Sequence, residues 1–74
     1  MYIVSYIEPW DNGDHIFYGM CLSKEEAFAE SEKFLRAHDG YIMWVQKIHP
    51  FEFGENVIIK TYTLHIYNGK LDFL

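Results

Sequence analysis

Two Asn-Gly dipeptides, at positions 12–13 and 68–69, each separate two short apolar segments of the chain. A type I′ turn requires positive φ at both central residues, and asparagine followed by glycine is the pair that tolerates this best. The first dipeptide therefore predicts a hairpin that joins a strand near Tyr2–Glu8 to one near His15–Leu22. Hairpins of this kind make antiparallel sheet the main component of the fold.

The second dipeptide predicts a hairpin between Val57–Tyr67 and Lys70–Phe73. A two-residue turn fixes the pairing register, which places Ile66 opposite Leu71, Leu64 opposite Phe73 and His65 opposite Asp72. One face of this hairpin is then apolar and consists of Tyr62, Leu64, Ile66, Leu71 and Phe73. The other face carries His65, Lys70 and Asp72, so the register agrees with a sheet that is buried on one side.

One helix is predicted between the two hairpins. The segment Ser23-Lys24-Glu25-Glu26 is a capping box, in which the serine hydroxyl and the Glu26 carboxylate satisfy free backbone N–H groups. Helical spacing follows at Ala27, Phe28, Ser31, Phe34, Leu35 and His38. Gly40 is the expected left-handed C-cap. A strand over Tyr41–His49, closed by Pro50, comes next.

This order predicts an α+β fold, ββαβββ, with an antiparallel sheet of four to five strands and one helix packed on one face. The 74 residues form a single domain, 1–74. Half of the chain is hydrophobic and 19% is aromatic, which excludes a disordered chain. A single cysteine, Cys21, excludes a small fold held together by disulfides.

Both faces of the first hairpin are apolar when Asn12-Gly13 is its turn. One face is predicted to carry Ile3, Ile7, Ile16, Met20 and Leu22, and the other Tyr2, Val4, Tyr6, Phe17 and Cys21. The third strand alternates in the same way, with Tyr41, Met43 and Val45 against Ile42, Trp44 and Ile48. One helix covers one face, so the second requires the terminal hairpin, a second subunit or a target protein. A homodimer is the expected assembly.

The charge of −5, with six basic and eleven acidic residues, disfavours direct binding of nucleic acid. The lysines and the arginine are also dispersed along the sequence. No secretory leader precedes the first strand, and the longest apolar run, Tyr41–Val45, is far shorter than a membrane span. A cytoplasmic protein without membrane contact is therefore expected.

No set of residues with catalytic or metal-binding spacing is present. Cys21 has no acid or base near it in sequence, and it is expected to be a buried apolar residue. The four histidines, at 15, 38, 49 and 65, lack the spacing of a zinc site, and Asp11–Asp14 is too short for a calcium loop. The sequence predicts no enzyme, no metal and no cofactor.

The first turn is acidic and carries a tryptophan. The first 23 residues contain Glu8, Asp11 and Asp14 and no lysine or arginine, and Trp10 lies among them. Tryptophan is enriched among interface anchors, so this turn is a candidate protein-binding element, unless Trp10 folds back over the sheet edge. The predicted protein-binding residues are Trp10, Asp11, Asp14, Tyr6, Phe17 and Trp44.

Three segments resemble a family of small uncharacterised bacterial and phage domains: Tyr2-Ile3-Val4, Cys21–Ala27 and Tyr41–Trp44. In that family a hairpin ends in a Ser-Lys/Thr-Glu-Glu-Ala helix start and an aromatic strand follows, and the likeness covers about the first fifty residues. The resemblance implies a compact acidic phage protein of the kind that inhibits host defences, as anti-CRISPR proteins do.

Two functions of different class follow as expectations. The first is a non-enzymatic interaction protein that binds and blocks a host defence protein. The alternative is a protein that sequesters a small nucleotide signal, with Tyr6, Phe17, Trp44 and Tyr62 stacking on a base at a subunit boundary.

Overall fold

The structure is a computed structural model that describes residues 1–11, 13–50 and 56–74. Its elements are β1 (Tyr2–Ile7), β2 (Ile16–Cys21), α1 (Lys24–Ala37), β3 (Ile42–Pro50), β4 (Asn56–Tyr67) and β5 (Lys70–Phe73). They form one five-stranded sheet in the order β2-β1-β3-β4-β5, and every neighbouring pair is antiparallel. The predicted α+β fold with ββαβββ order is confirmed.

The helix connects two strands that flank β1. Because β2 and β3 each pair antiparallel with β1, they run in the same direction, and α1 carries the chain from one to the other across β1. The terminal hairpin does not fold over the second face of the sheet, since β5 continues the sheet at its edge beside β4. One of the three predicted ways of covering that face is thereby excluded.

The helix begins at the predicted cap. The Ser23 hydroxyl accepts the backbone N–H of Glu26 at 3.1 Å, which is the serine half of the predicted capping box. The buried residues of the helix are spaced by four: Ala27, Ser31 and Leu35. Ser31 donates its hydroxyl to the carbonyl of Ala27 at 2.7 Å. This internal bond explains how a serine is buried against the sheet without an unsatisfied hydroxyl.

The predicted C-cap at Gly40 is wrong by two residues. The helix ends at Ala37, and His38, in extended conformation, is its C-cap. Gly40 does have the left-handed backbone that the prediction required, with φ of +80°. The His38 ring packs back on the last turn of the helix, where it stacks on the Phe34 ring with 4.0 Å between centroids and nearly parallel planes. This stacking holds the residues after Ala37 against the helix end.

The core lies between α1 and one face of the sheet, which we call the helix face. It consists of Val4, Cys21, Ala27, Leu35, Met43, Val45 and Leu64. Half-buried aromatic and aliphatic residues surround these at the margin: Tyr2, Tyr6, Phe28, Phe34, Tyr41, Tyr62, Ile66 and Leu71. The predicted side of β3 that carries Met43 and Val45 is therefore the buried one.

The first hairpin departs from the prediction because of a β-bulge. Val4 pairs with Gly19 but Ser5 pairs with Phe17, so Tyr18 is an extra residue on β2. An extra residue reverses the side to which the preceding residues point. Phe17 therefore lies on the other face of the sheet from Val4. Ile16 lies on the helix face, where it is the strand partner of Tyr6. Both assignments are the reverse of the predicted ones.

The turn of that hairpin also differs from the prediction. The connection between β1 and β2 spans eight residues, 8–15, rather than a two-residue turn. Within it the backbone N–H of Asp11 donates to the carbonyl of Glu8 at 3.1 Å, which closes a β-turn with Pro9 at its second position. Gly13 has a positive φ of 127°, and Asn12 lies outside the described residues. Leu22, predicted on the strand, follows its end and is exposed.

The second hairpin matches the prediction at every pair. Leu64 pairs with Phe73, His65 with Asp72 and Ile66 with Leu71. Asn68 and Gly69 have φ angles of 52° and 77°, the positive values that the two-residue turn requires. The apolar side of this hairpin joins the core, where the rings of Tyr62 and Phe73 contact Phe28.

Candidate protein-binding surface

The face of the sheet opposite α1 is the candidate surface, and we call it the open face. Strand register places on it Ile3, Ser5, Ile7, Phe17, Met20, Ile42, Trp44, Gln46, Thr61, Thr63 and His65. The described helix packs on the other side, and no described strand crosses this one. The open face is therefore a surface whose chemistry is set by four adjacent strands.

Two rows of paired residues show how polarity changes across the open face. One row runs Phe17, Ser5, Trp44, Thr63, and the other runs Met20, Ile3, Gln46, Thr61. Each row is apolar at β2 and polar at β4, where Gln46 donates its amide to the Thr61 hydroxyl at 3.4 Å. The polar alternation typical of a hydrated sheet face is thus present on β4 and missing on β2.

The β2 end of these rows is strongly exposed. Phe17 is 62% exposed and Met20 is 51% exposed, while Ile3 beside them is half-buried. Ser5, in the middle of its row, is buried between its neighbours. Isolated exposed apolar residues are common, but adjacent ones that continue into half-buried apolar neighbours form a patch suited to contact with another protein. We call Ile3, Phe17, Met20 and Trp44 the apolar patch.

One member of the apolar patch is already partly covered. The His15 ring stacks on the Trp44 ring, with centroids 3.3 Å apart and an angle of 31° between the planes. His15 belongs to the connection between β1 and β2, so this connection reaches back over the open face. The Nδ1 atom of His15 is buried without a hydrogen-bond partner among the described residues. Trp44 therefore presents less of its ring to a partner than Phe17 does.

The acidic turn holds Trp10 outward. Trp10 is 71% exposed, and its ring meets the Tyr41 ring edge-on, with 5.6 Å between centroids. It therefore keeps one supporting aromatic contact and leaves most of its ring available. Asp14 is exposed nearby in the same connection, and Asp11 is half-buried. Partial burial raises the pKa of the Tyr41 hydroxyl, and the negative charge of Glu8 raises it further.

The six predicted binding residues do not form one cluster. Phe17 and Trp44 share the open face, and Trp10, Asp11 and Asp14 lie in the β1–β2 connection. Tyr6 lies on the helix face, where its ring contacts Phe34 at 4.8 Å and Tyr41 at 5.9 Å.

The four aromatic residues of the nucleotide hypothesis are likewise divided. Tyr6 and Tyr62 border the core on the helix face, whereas Phe17 and Trp44 lie on the open face. Within one chain, a single base therefore cannot contact all four.

Lysines that are far apart in sequence come together near Tyr62, where Lys24 and Lys60 approach its ring and Lys47 is the strand partner of Lys60. Lys47 and Lys60 are directly paired across β3 and β4. The ammonium groups of Lys60 and Lys24 lie 4.9 Å and 5.9 Å from the centre of the Tyr62 ring. In the sequence these lysines are dispersed. The β3–β4 register would have revealed the pair, but the bulge between Lys47 and Ile48 makes that register unreadable from the sequence.

Cys21 is buried, as predicted, in the core beneath α1. Burial raises the pKa of its thiol, and the negative charges of Glu26 and Glu30 raise it further. A thiol in such surroundings is a poor nucleophile at neutral pH. In the described part of the chain, no three histidine, cysteine, aspartate or glutamate residues are grouped so as to hold a metal ion.

Comparison of the chain with protein-family models, with curated proteins and with solved structures gave no match. The described residues include no helix with both the length and the apolar character needed to cross a membrane.

Proposed function

We propose that the protein is a non-enzymatic interaction protein that binds a partner protein through the apolar patch and the Trp10 turn. The observation that carries this proposal is the exposure of Phe17 and Met20, side by side with half-buried Ile3 on the open face. Because more than a third of each side chain is already covered, covering the rest contributes about 1–2 kcal/mol for each. A partner protein supplies that cover.

The charge around the turn specifies the chemistry of the partner. Glu8, Asp11 and Asp14 are close to the exposed Trp10 in sequence, and the first 23 residues contain no lysine or arginine. A fitting partner has an apolar groove for the tryptophan and the patch, bordered by lysine or arginine. Opposite charges at the rim of such an interface accelerate association, and the effect decreases with added salt.

The resemblance to phage domains supports a more specific identity for the partner. We take it to be a host defence protein in the cytoplasm, which this chain blocks by occupying its surface. An inhibitor that occupies the surface of its partner needs a complementary surface of its own and no catalytic group.

The test is capture of a host protein by the immobilised chain and by matched variants. Phe17→Ser and Met20→Ser together remove the two most exposed members of the apolar patch, and Leu22→Ser is the control because Leu22 is 79% exposed but lies after the end of β2. We expect one host protein to be retained by the wild type and by the control, and to bind at least about tenfold more weakly to the double variant, as loss of interface anchors predicts.

Charge is tested separately with Asp14→Lys. This change should slow association of the captured protein at low salt and have little effect at high salt. Retention of the same protein by the double variant, or retention of none by the wild type, would refute the proposal.

A further inference from the structure

Among the residues that the structure describes, none pairs with the outer edge of β4 over more than half of its length. β4 has 12 residues, but β5 pairs only with its last four, from Leu64 to Tyr67. The backbone N–H of Leu74 donates to the carbonyl of Thr63 at 2.9 Å and extends this contact by one residue. Residues 56–62 therefore have β3 on one side and no described strand on the other. At about 3.3 Å per residue the free edge is roughly 20 Å long.

The side chains along this free edge are apolar and exposed. Val57, Ile58 and Ile59 are 40%, 54% and 56% exposed, and all three are β-branched residues that favour strands. Native proteins usually protect a free edge with several charges, with proline or with a very short strand. Within residues 56–62 the protection consists of one charge, Lys60, and the bulge at Ile59. A free edge of this composition is a template for another strand.

We propose that a second copy of this chain pairs with residues 56–62 through its own β4, antiparallel, to form a homodimer. Antiparallel pairing of identical strands is generated by a two-fold axis perpendicular to the sheet. The result is one ten-stranded sheet with both helices on one side and both open faces on the other. This interface uses an edge that the proposed partner-binding surface leaves free.

A second copy fits this edge for two reasons. Each copy has the same seven-residue free stretch, so each satisfies the backbone groups of the other over matching length. Two registers pair almost the whole stretch: in one the two-fold axis lies level with the midpoint between Ile58 and Ile59, and in the other with the midpoint between Ile59 and Lys60. The first places Lys60 opposite Val57 of the second copy, and the second places it opposite Ile59 of the second copy. The two ammonium groups are then never opposite each other, and residues 56–62 contribute no carboxylate to repel the second copy.

The experiment is sedimentation velocity on the full chain over a range of concentrations. The wild type should sediment as a dimer of two 8.9 kDa chains, and Ile59→Lys should shift it to the monomer. Phe17→Lys is the matched control, because it introduces the same charge at an exposed apolar residue of the open face and should leave the dimer intact. Far-UV circular dichroism confirms that each variant is folded.

A second measurement does not depend on a variant. Amide hydrogen exchange of residues 56–62 should slow as the wild-type concentration rises, since pairing protects N–H groups that point outward from β4. A wild type that remains monomeric at high concentration would overturn the proposal. So would a dimer that survives Ile59→Lys but is lost in Phe17→Lys, because that result assigns the contact to the open face.

Discussion

Replacement of Leu64 by alanine should destabilise the fold strongly. Leu64 is 1% exposed and is paired with Met43 on one side and Phe73 on the other, beneath the helix. Truncation of a fully buried leucine costs about 2–5 kcal/mol, because the cavity left behind closes only in part. We expect a loss of about 3 kcal/mol, since Leu64 is held by strands on both sides and its surroundings cannot collapse freely.

That loss is large relative to the total free energy of unfolding. A chain of this length has a free energy of unfolding of about 4–11 kcal/mol. The melting temperature should therefore fall by about 12–24 °C, at about 4–8 °C per kcal/mol for a small domain.

Urea denaturation followed by circular dichroism measures the loss directly. Leu22→Ala is the control, because it makes the same chemical change at a residue that is 79% exposed, and it should cost less than about 0.5 kcal/mol. Both variants must be compared at one protein concentration, since dimer formation adds to apparent stability. A loss below about 1 kcal/mol for Leu64→Ala, or equal losses for the two variants, would show that the position of the core is misassigned.

Three further predictions concern single side chains. Ser23→Ala removes the bond to the Glu26 N–H and should cost about 1 kcal/mol in a thermal melt, whereas Ser23→Asp should retain most of the stability because aspartate also caps helices. Lys47→Glu replaces a repulsive pair with Lys60 by an attractive one and should raise stability by a few tenths of a kcal/mol; a loss in urea denaturation would contradict this. The raised pKa of the Cys21 thiol predicts slow alkylation by iodoacetamide in the folded state at mildly alkaline pH. It also predicts that the free energy of unfolding falls as pH rises past the pKa of the unfolded thiol, because the unfolded chain loses that proton first. Cys21→Ala should reduce this decline. Equal alkylation rates with and without urea would refute the reasoning.

The C-terminal half of the fold is readable from local rules. Asn68-Gly69 sets a two-residue turn, the turn sets the register, and the register puts Leu64 and Ile66 on the buried side without reference to any other part of the chain. The Ser23 cap and the buried spacing of Ala27, Ser31 and Leu35 are local in the same sense. Such features are predictable because their determinants lie within a few residues of each other.

The first hairpin is not readable in this way. Asn12-Gly13 resembles the other turn signal, but Pro9 favours an earlier turn at Glu8–Asp11, and the two signals compete. The bulge at Tyr18 then reverses the side of Phe17. A bulge depends on how two strands twist against a third, which the sequence of the hairpin alone does not specify.

The candidate site was therefore predicted only in part. Trp10 and the acidic residues beside it were identified because they are adjacent in sequence, and Trp10 is exposed as the binding hypothesis requires. The apolar patch depends on Phe17 and Met20 sharing a face, which required the bulge. The free edge of β4 depends on β5 being much shorter than its neighbour, a consequence of pairing rather than of any motif.

The strand order also bears on how the chain folds. β3, β4 and β5 follow one another directly, so their pairings close only short loops. Pairing of β1 with β3 instead joins Ile7 to Ile42 and Tyr2 to Lys47, across the whole of β2 and α1. Because closing a long loop costs entropy before its contacts form, we expect the three C-terminal strands to assemble first and β1 to dock in the rate-limiting step. Substitutions in the second hairpin, which is already formed at that step, should then slow refolding and leave the unfolding rate nearly unchanged, whereas those at the β1–β3 seam should divide their effect between the two rates.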